Sequence, residues 1–600
     1  MKRAEKQERR GADMDIKVVC LALLLSGYAM ARTVRSVDYG IAPGRDFSSE
    51  NVRKMLGDIR QADEPTLLNF APGLYRIGEK QCAKRDWYIS NHDQAVPRTV
   101  FLPLENLKDL TVNLSGATFE MNGRFIFAGI WDSTRVTLQG GTLDNPIPPL
   151  TQICLLAVNR KTRSVDFRPE GSMQVSIRKG RYWVSGPGFE EQPGNGIRFE
   201  PDGSIVYRTG DSSINLTRVR ELGGGIFRAE GCENASFRPF QRMVLRSYKR
   251  PAPGVVLSDS KDIALYGLTL FYADGMGVLA QNTENITLDG IRVVPNRARG
   301  RYYSTQADAT HFSGCWGVIR SVNGEYEGMM DDAINVHGTY LKVVRRLDNR
   351  SVEAVYMHGQ SYGMEWGARG ESVAFISSDT LDPLPSRCVL DSVTPLDKPA
   401  VRSGARRLKL TFRDSLPPGM DPQQSPCGVE NLSRTPEVYF EGNRIANNRA
   451  RGALFSSPRK TVCRNNRFER VSGSAVVLCG DCRGWFESGA CRDITIAGNT
   501  FVDVLSSPFQ FTEAVISISP VIARPDLQRS PFHSGIVIEN NDFITFDQPL
   551  VYARSVDGLT LRNNRVTRTR TYPPYHWNRE WLTLRNCRNV KAEKPAEGDR

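Results

Sequence analysis

Three aspartates and two histidines carry the most chemical weight in this sequence. Asp331 and Asp332 stand side by side in EYEGMMDDAINVHG (325–338), while Asp308 and His311 lie upstream in QADATHF (306–312). The separation 331 − 308 = 23 recurs elsewhere in the chain, which places Asp308 one structural repeat from the pair. Crowded carboxylates cannot all ionise cheaply, so at least one keeps its proton near neutral pH. A protonated acid beside an ionised base is what glycoside hydrolysis needs: one protonates the departing oxygen, the other takes a proton from water. Calcium bound by the same carboxylates, as in a β-helical lyase, is the rival. A lyase would also want an Arg or Lys base, and the two phrases offer none.

The frame that must position these groups shows in repetition. VYFEGNRI, VCRNNRF, ITIAGNTF, IVIENNDF and LTLRNNRV share alternating apolar residues followed by an asparagine: Asn443, Asn466, Asn499, Asn541 and Asn564. Two of the spacings are 466 − 443 = 23 and 564 − 541 = 23, with insertions between. Looser copies occur upstream, and Asp262 to Asn285 is again 23. Short alternating strands at such a period predict a right-handed parallel β-helix, an all-β fold whose stacked coils align the asparagines in a ladder. The segment SSENVRKMLGDIRQA, with Val52, Met55, Leu56 and Ile59 on one face, predicts a helix capping the first coil. Residues 155–250 and 341–435 lack the asparagine phrase and read as two inserted β-barrel-like domains. The β-helix then comprises 32–154, the central coils 251–340, and 436–600. Adjacent side chains on a regular strand face opposite ways, so Asp331 and Asp332 can serve one site only if the chain bends there.

The rest of the composition sets limits. A net charge of +13 is spread among 79 basic and 66 acidic residues without a dense basic block, which argues against a nucleic-acid partner. Residues 1–31, with Lys17, an apolar run from Val18 and Ala29-Met30-Ala31, read as a secretory leader. No later run is long enough to span a membrane, so export to the periplasm or cell surface is expected. CGDC (Cys479–Cys482) near Cys491 fits a local disulfide or buried thiols better than a zinc site.

ADATHFSGCWG followed by GEYEGMMDDAINVHGTYLKV resembles glycoside hydrolase family 110, the exo-acting bacterial α-1,3-galactosidases. More distantly, the Asp…Asp-Asp…His-Gly pattern is similar to that of the family 28 polygalacturonases. The resemblance implies a cofactor-free, metal-independent inverting hydrolase that removes terminal α-1,3-linked galactose, as in blood group B and related glycans. It implies Asp331 as general acid, with Asp308 and Asp332 holding and activating water. Around them His311, Glu327, Asn335 and His337 are expected as sugar contacts or orienters, with Arg451 reaching the same wall. Glu365 and Trp366 of GMEWGARG are expected to form a loop over the site, the tryptophan supplying a stacking face. Another β-helical polysaccharide-degrading enzyme and a non-catalytic glycan-binding surface protein remain as alternatives. A homo-oligomer is compatible with the sequence.

Overall fold

The computed structural model describes residues 31–232, 236–397 and 403–598. The expected leader lies, but for Ala31, outside them. Three long, essentially parallel sheets of 13, 12 and 13 strands form the walls of a parallel β-helix. Alternation sends every second side chain into the bore: in DITIA (Asp493–Ala497), Ile494 and Ile496 are buried while Asp493 faces solvent. Phenylalanines stack inside the second wall, Phe468 on Phe501 at 5.4 Å and Phe501 on Phe543 at 5.0 Å between ring centroids.

The asparagine ladder is continuous. Each of Asn443, Asn466, Asn499 and Asn541 donates its backbone N–H and its Nδ2 to the Oδ1 of the next, at 2.9–3.0 Å. The left-handed turn residue is the one before each rung, Gly442, Asn465, Gly498, Asn540 and Asn563, so the rung itself is free to hydrogen-bond. Asn499→Ala would strand the Asn466 amide and the Cys463 carbonyl, which its side chain meets at 2.9–3.0 Å in the interior. Each orphaned buried group costs about 1–3 kcal/mol. Asn499→Ala should therefore lower the urea or thermal midpoint clearly; an unchanged midpoint would mean the ladder is decorative.

Helix α1 (Ser49–Ala62) covers the first coil, with Val52, Met55, Leu56 and Ile59 buried against it and a capping box at Ser48 and Asn51. Two antiparallel units interrupt the coils. The first, from Thr151 to Leu245, is a six-stranded sheet with a separate three-stranded one; the second, from Leu341 to Asn431, is a closed six-stranded barrel. All eleven cysteines among the described residues are free, so Cys479, Cys482 and Cys491 are buried thiols rather than a disulfide. No described helix is long and apolar enough to cross a membrane.

Candidate active site

The site lies on the outer face of the third wall. Its strands are β1 (Thr310–Ser313), β4 (Ile334–Thr339) and β5 (Ala453–Ser456), while β2 (Trp316–Val322) and β3 (Glu325–Glu327) carry the chain round the other two walls. The bore side takes Phe312, Ile334 and Val336; the outer side presents His311, Asn335 and His337. Asp308 precedes β1, and Asp331 and Asp332 lie in the turn before β4, so the bend required by the paired aspartates is present.

The register corrects one expectation. Thr310 pairs with Ile334, an offset of 24, so Asp332 rather than Asp331 stands over Asp308. The extra residue enters at a bulge in β2, where the pairing slips between Glu284 and Ile286 and Gly317 takes φ +70°. Continuing the register through Ile334 and Ala453 places Arg451 beside Asp332 on the next coil.

One oxygen from each of Asp308, Asp331 and Asp332 lies within 4.8 Å of the others. Asp308 and Asp332 are almost fully buried, at 3% and 1% exposed, whereas the Asp331 side chain retains 14%. Asp332 receives both Nε and Nη2 of Arg451, at 2.8 and 2.7 Å. Asp331 receives Arg250 at 3.1 Å and Arg449 at 3.4 Å, with Arg451 at 3.8 Å. Arg451 stands on this wall as expected, and Arg449 and Arg250 add basic groups that the two aspartate phrases lack. Arg449 was within reach of the sequence, two positions before Arg451 in NRARG; Arg250, at the end of the first insertion, gave no signal.

The charges separate the three acids. Burial opposes ionisation of Asp331, but Arg449, Arg451, Arg250 and Arg246 outweigh it and hold that carboxyl below its usual range. Burial, reinforced by Asp331, pushes Asp308 up to about 7. Burial raises Asp332 as well, yet the bidentate arginine requires its carboxylate form.

A hydrogen-bond chain runs from the Gly338 carbonyl through both histidines to Asp308. His337 Nδ1 must donate to the Gly338 carbonyl at 2.6 Å. Burial first, and the His337 ring next, keep His311 neutral. His311 Nε2 meets His337 Nε2 at 2.9 Å, and His311 Nδ1 meets Asp308 at 2.6 Å. Asp308, raised by burial, ends this chain as a group able to hold a proton near neutral pH.

The remaining expected residues divide. Asn335 stands beside His311 and is buried, and its Oδ1 has no hydrogen-bond partner among the described residues, so it is an acceptor free for a sugar hydroxyl. Glu327 is turned away: it sits on the second wall, tied to Arg297, Arg444 and Asn447, and is no sugar contact in this arrangement. The segment around Glu365 does cross the outer wall, but through Gly363 and Met364, which meet Gln281 and Ser313. The Glu365 carbonyl is held by Asn282 and Arg434. Trp366 points into the barrel core, 3% exposed, with Nε1 donating to the Thr339 carbonyl at 2.8 Å, so it offers no stacking face. An unexpected carboxylate, Glu487 on β6 (Glu487–Ser488), stands 3.7 Å from His337 Nε2.

The profile of the GLAA-B beta-barrel domain I matches residues 151–239, the first insertion. An "Alpha-1,3-galactosidase B" from Phocaeicola vulgatus is 43% identical over 585 residues, 95% of this chain and 96% of that protein. The chain belongs to the bacterial α-1,3-galactosidase family. Further members so named, from Parabacteroides distasonis and Bacteroides fragilis, are 42% and 40% identical over 90% and 96% of the chain, and 89% and 100% of their own lengths.

Proposed function

We propose that the protein is an exo-acting, inverting α-1,3-galactosidase that releases terminal α-1,3-linked galactose from glycans such as blood group B and related structures. The reading rests chiefly on the Asp308–Asp331–Asp332 patch, set in a chain alignable over nearly its whole length with curated α-1,3-galactosidases. The first insertion and its flank reach the patch: Arg250 binds Asp331, and Asp211 binds Arg449, another partner of Asp331. Such enclosure suits removal of a terminal sugar.

Asp331 is the outermost of the three and is assigned the glycosidic oxygen, which it protonates as general acid. Asp308 and Asp332, deeper on the wall, hold the attacking water. Asp308 is raised and Asp331 lowered, so a proton passes from Asp308 to Asp331 before Asp331 can protonate the glycosidic oxygen. Asn335 and the histidine pair orient hydroxyls and protons. The patch has the spacing of a cation site, but three arginines already neutralise it, and the chemistry proposed takes no metal. Export to the periplasm or cell surface fits the leader read in the sequence and a glycan substrate.

The spacing favours a second reading. Oxygens within 4.8 Å are closer than the roughly 6.5–9.5 Å that leaves room for water in inverting enzymes, and nearer the roughly 5–5.5 Å of retaining ones. Asp331 would then be the nucleophile and Asp308 the acid.

Either way the patch must hold one proton. Asp308, raised to about 7, is protonated below that pH and loses its proton above it. The ratio kcat/KM should therefore fall as pH rises through about 7; a profile flat to strongly alkaline pH would contradict the shared proton. The functional test is incubation with a linear galactosyl-α-1,3-galactose oligosaccharide and its fucosylated counterpart, with α-1,4 and α-1,6 isomers as controls. Galactose is expected from α-1,3 substrates alone. None from either would end the proposal.

A further inference from the structure

Trp485 is large, aromatic and 39% exposed, yet its loop is firmly held. Asp481 caps the turn, accepting the N–H groups of Arg483, Gly484 and Trp485 at 2.7–2.8 Å. One face of the indole rests on His358 of the second insertion, with centroids 4.4 Å apart. Both ends of this contact lead back to the carboxylates. From His358, the Gln360 amide reaches back to Nδ1 and its side chain binds Asp93, which accepts the N–H of Arg250, the partner of Asp331. From Trp485, the chain passes in two residues to Glu487, which faces His337 and, through His311, Asp308. The contacts form a closed ring, with the carboxylates at one side and the Trp485–His358 pair opposite.

We propose that Trp485, backed by His358, is the platform on which the sugar behind the terminal galactose stacks. The inference rests on the galactosidase reading: with galactose over the carboxylates, the next residue of the glycan must leave across the rim. A partly exposed indole, braced by His358 on a pinned loop, offers the apolar, flat surface that a sugar ring's C–H face matches, at little cost in side-chain ordering. The ligand class is the penultimate hexose of an α-1,3-galactosylated oligosaccharide. This is the role that sequence reasoning gave to Trp366.

The test compares wild type, Trp485→Ala, Trp485→Phe and His358→Ala on a galactosyl-α-1,3-galactose trisaccharide, with free galactose as competitive inhibitor. Trp485→Ala should lower kcat/KM about 3- to 10-fold, mainly through KM, the size of one lost aromatic contact. The Ki of galactose, which does not reach the rim, should move less than about 2-fold. Trp485→Phe should recover most of the loss, and His358→Ala should lose less than Trp485→Ala. An unchanged KM in Trp485→Ala, or a galactose Ki that rises in step with KM, overturns the platform while leaving the galactosidase reading intact. A wild-type protein that releases no galactose overturns both. The variants' thermal midpoints report whether each is folded, and Trp485→Phe and His358→Ala carry the comparison if the alanine variant is not.

Discussion

Asp331→Asn is expected to fold normally and to lose roughly 10²–10⁴-fold in kcat/KM on an oligosaccharide, the range of one general acid. The side chain sits in a turn rather than in the bore, and the amide oxygen can still accept from Arg250. Arg449 keeps Asp211 as a bidentate partner at 2.8 Å. What disappears is the proton that the departing sugar requires. An aryl α-galactoside with a good leaving group needs little help from an acid, so the variant should recover much of its rate on that substrate. Equal losses on both substrates would remove Asp331 from the acid role and favour it as nucleophile. A fully active variant would remove it from the chemistry altogether.

The second large effect is on Arg451. Arg451→Met should destabilise the protein by about 3–5 kcal/mol, because it leaves a buried carboxylate without its partner, and should abolish activity. Asp332 is 1% exposed and has both oxygens on this one guanidinium. The double variant Arg451→Met/Asp332→Leu removes both charges and should recover much of the stability, since an apolar pair of similar volume substitutes well for a buried ion pair. Its activity should not return. Urea denaturation of the three proteins checks this. A single variant as stable as wild type, or a double variant no better than the single, would show that Asp332 is not held charged by Arg451.

These expectations depend on features that were unequally visible in the sequence. The ladder asparagines and the 23-residue period are local patterns repeated many times, so Asn443 through Asn564 and the coil architecture could be read directly. Helix α1 was legible for the same reason: its four apolar residues form a stripe of helical period. The carboxylate trio was legible as a set but not in its arrangement. A single bulge at Gly317 lengthens one coil to 24 and exchanges Asp331 for Asp332 as the neighbour of Asp308. Nothing in the DDAINVHG phrase records an event on another wall of the helix.

Residues brought in by the insertions were the least legible. Trp366 reads like an exposed aromatic in a glycine-rich loop, but the barrel needs its indole as core and gives its N–H a buried carbonyl. Arg250, on the flank of the first insertion, and Glu487 and Trp485, in a loop between C-terminal coils, come from segments without periodicity, placed by a tertiary docking that sequence spacing does not encode. Glu327 shows the converse. It lies four residues before Asp331, yet the corner between β3 and β4 puts it on another wall, among arginines.

Proton NMR of the sugar at the moment of release tests the central proposal most directly. With a galactosyl-α-1,3-galactose substrate, water activated by Asp308 and Asp332 while Asp331 protonates the leaving oxygen should give β-galactose first, with the α-anomer appearing only by mutarotation. Initial α-galactose would contradict inversion and make Asp331 the nucleophile of a retaining enzyme, as the close spacing of the three carboxylates allows.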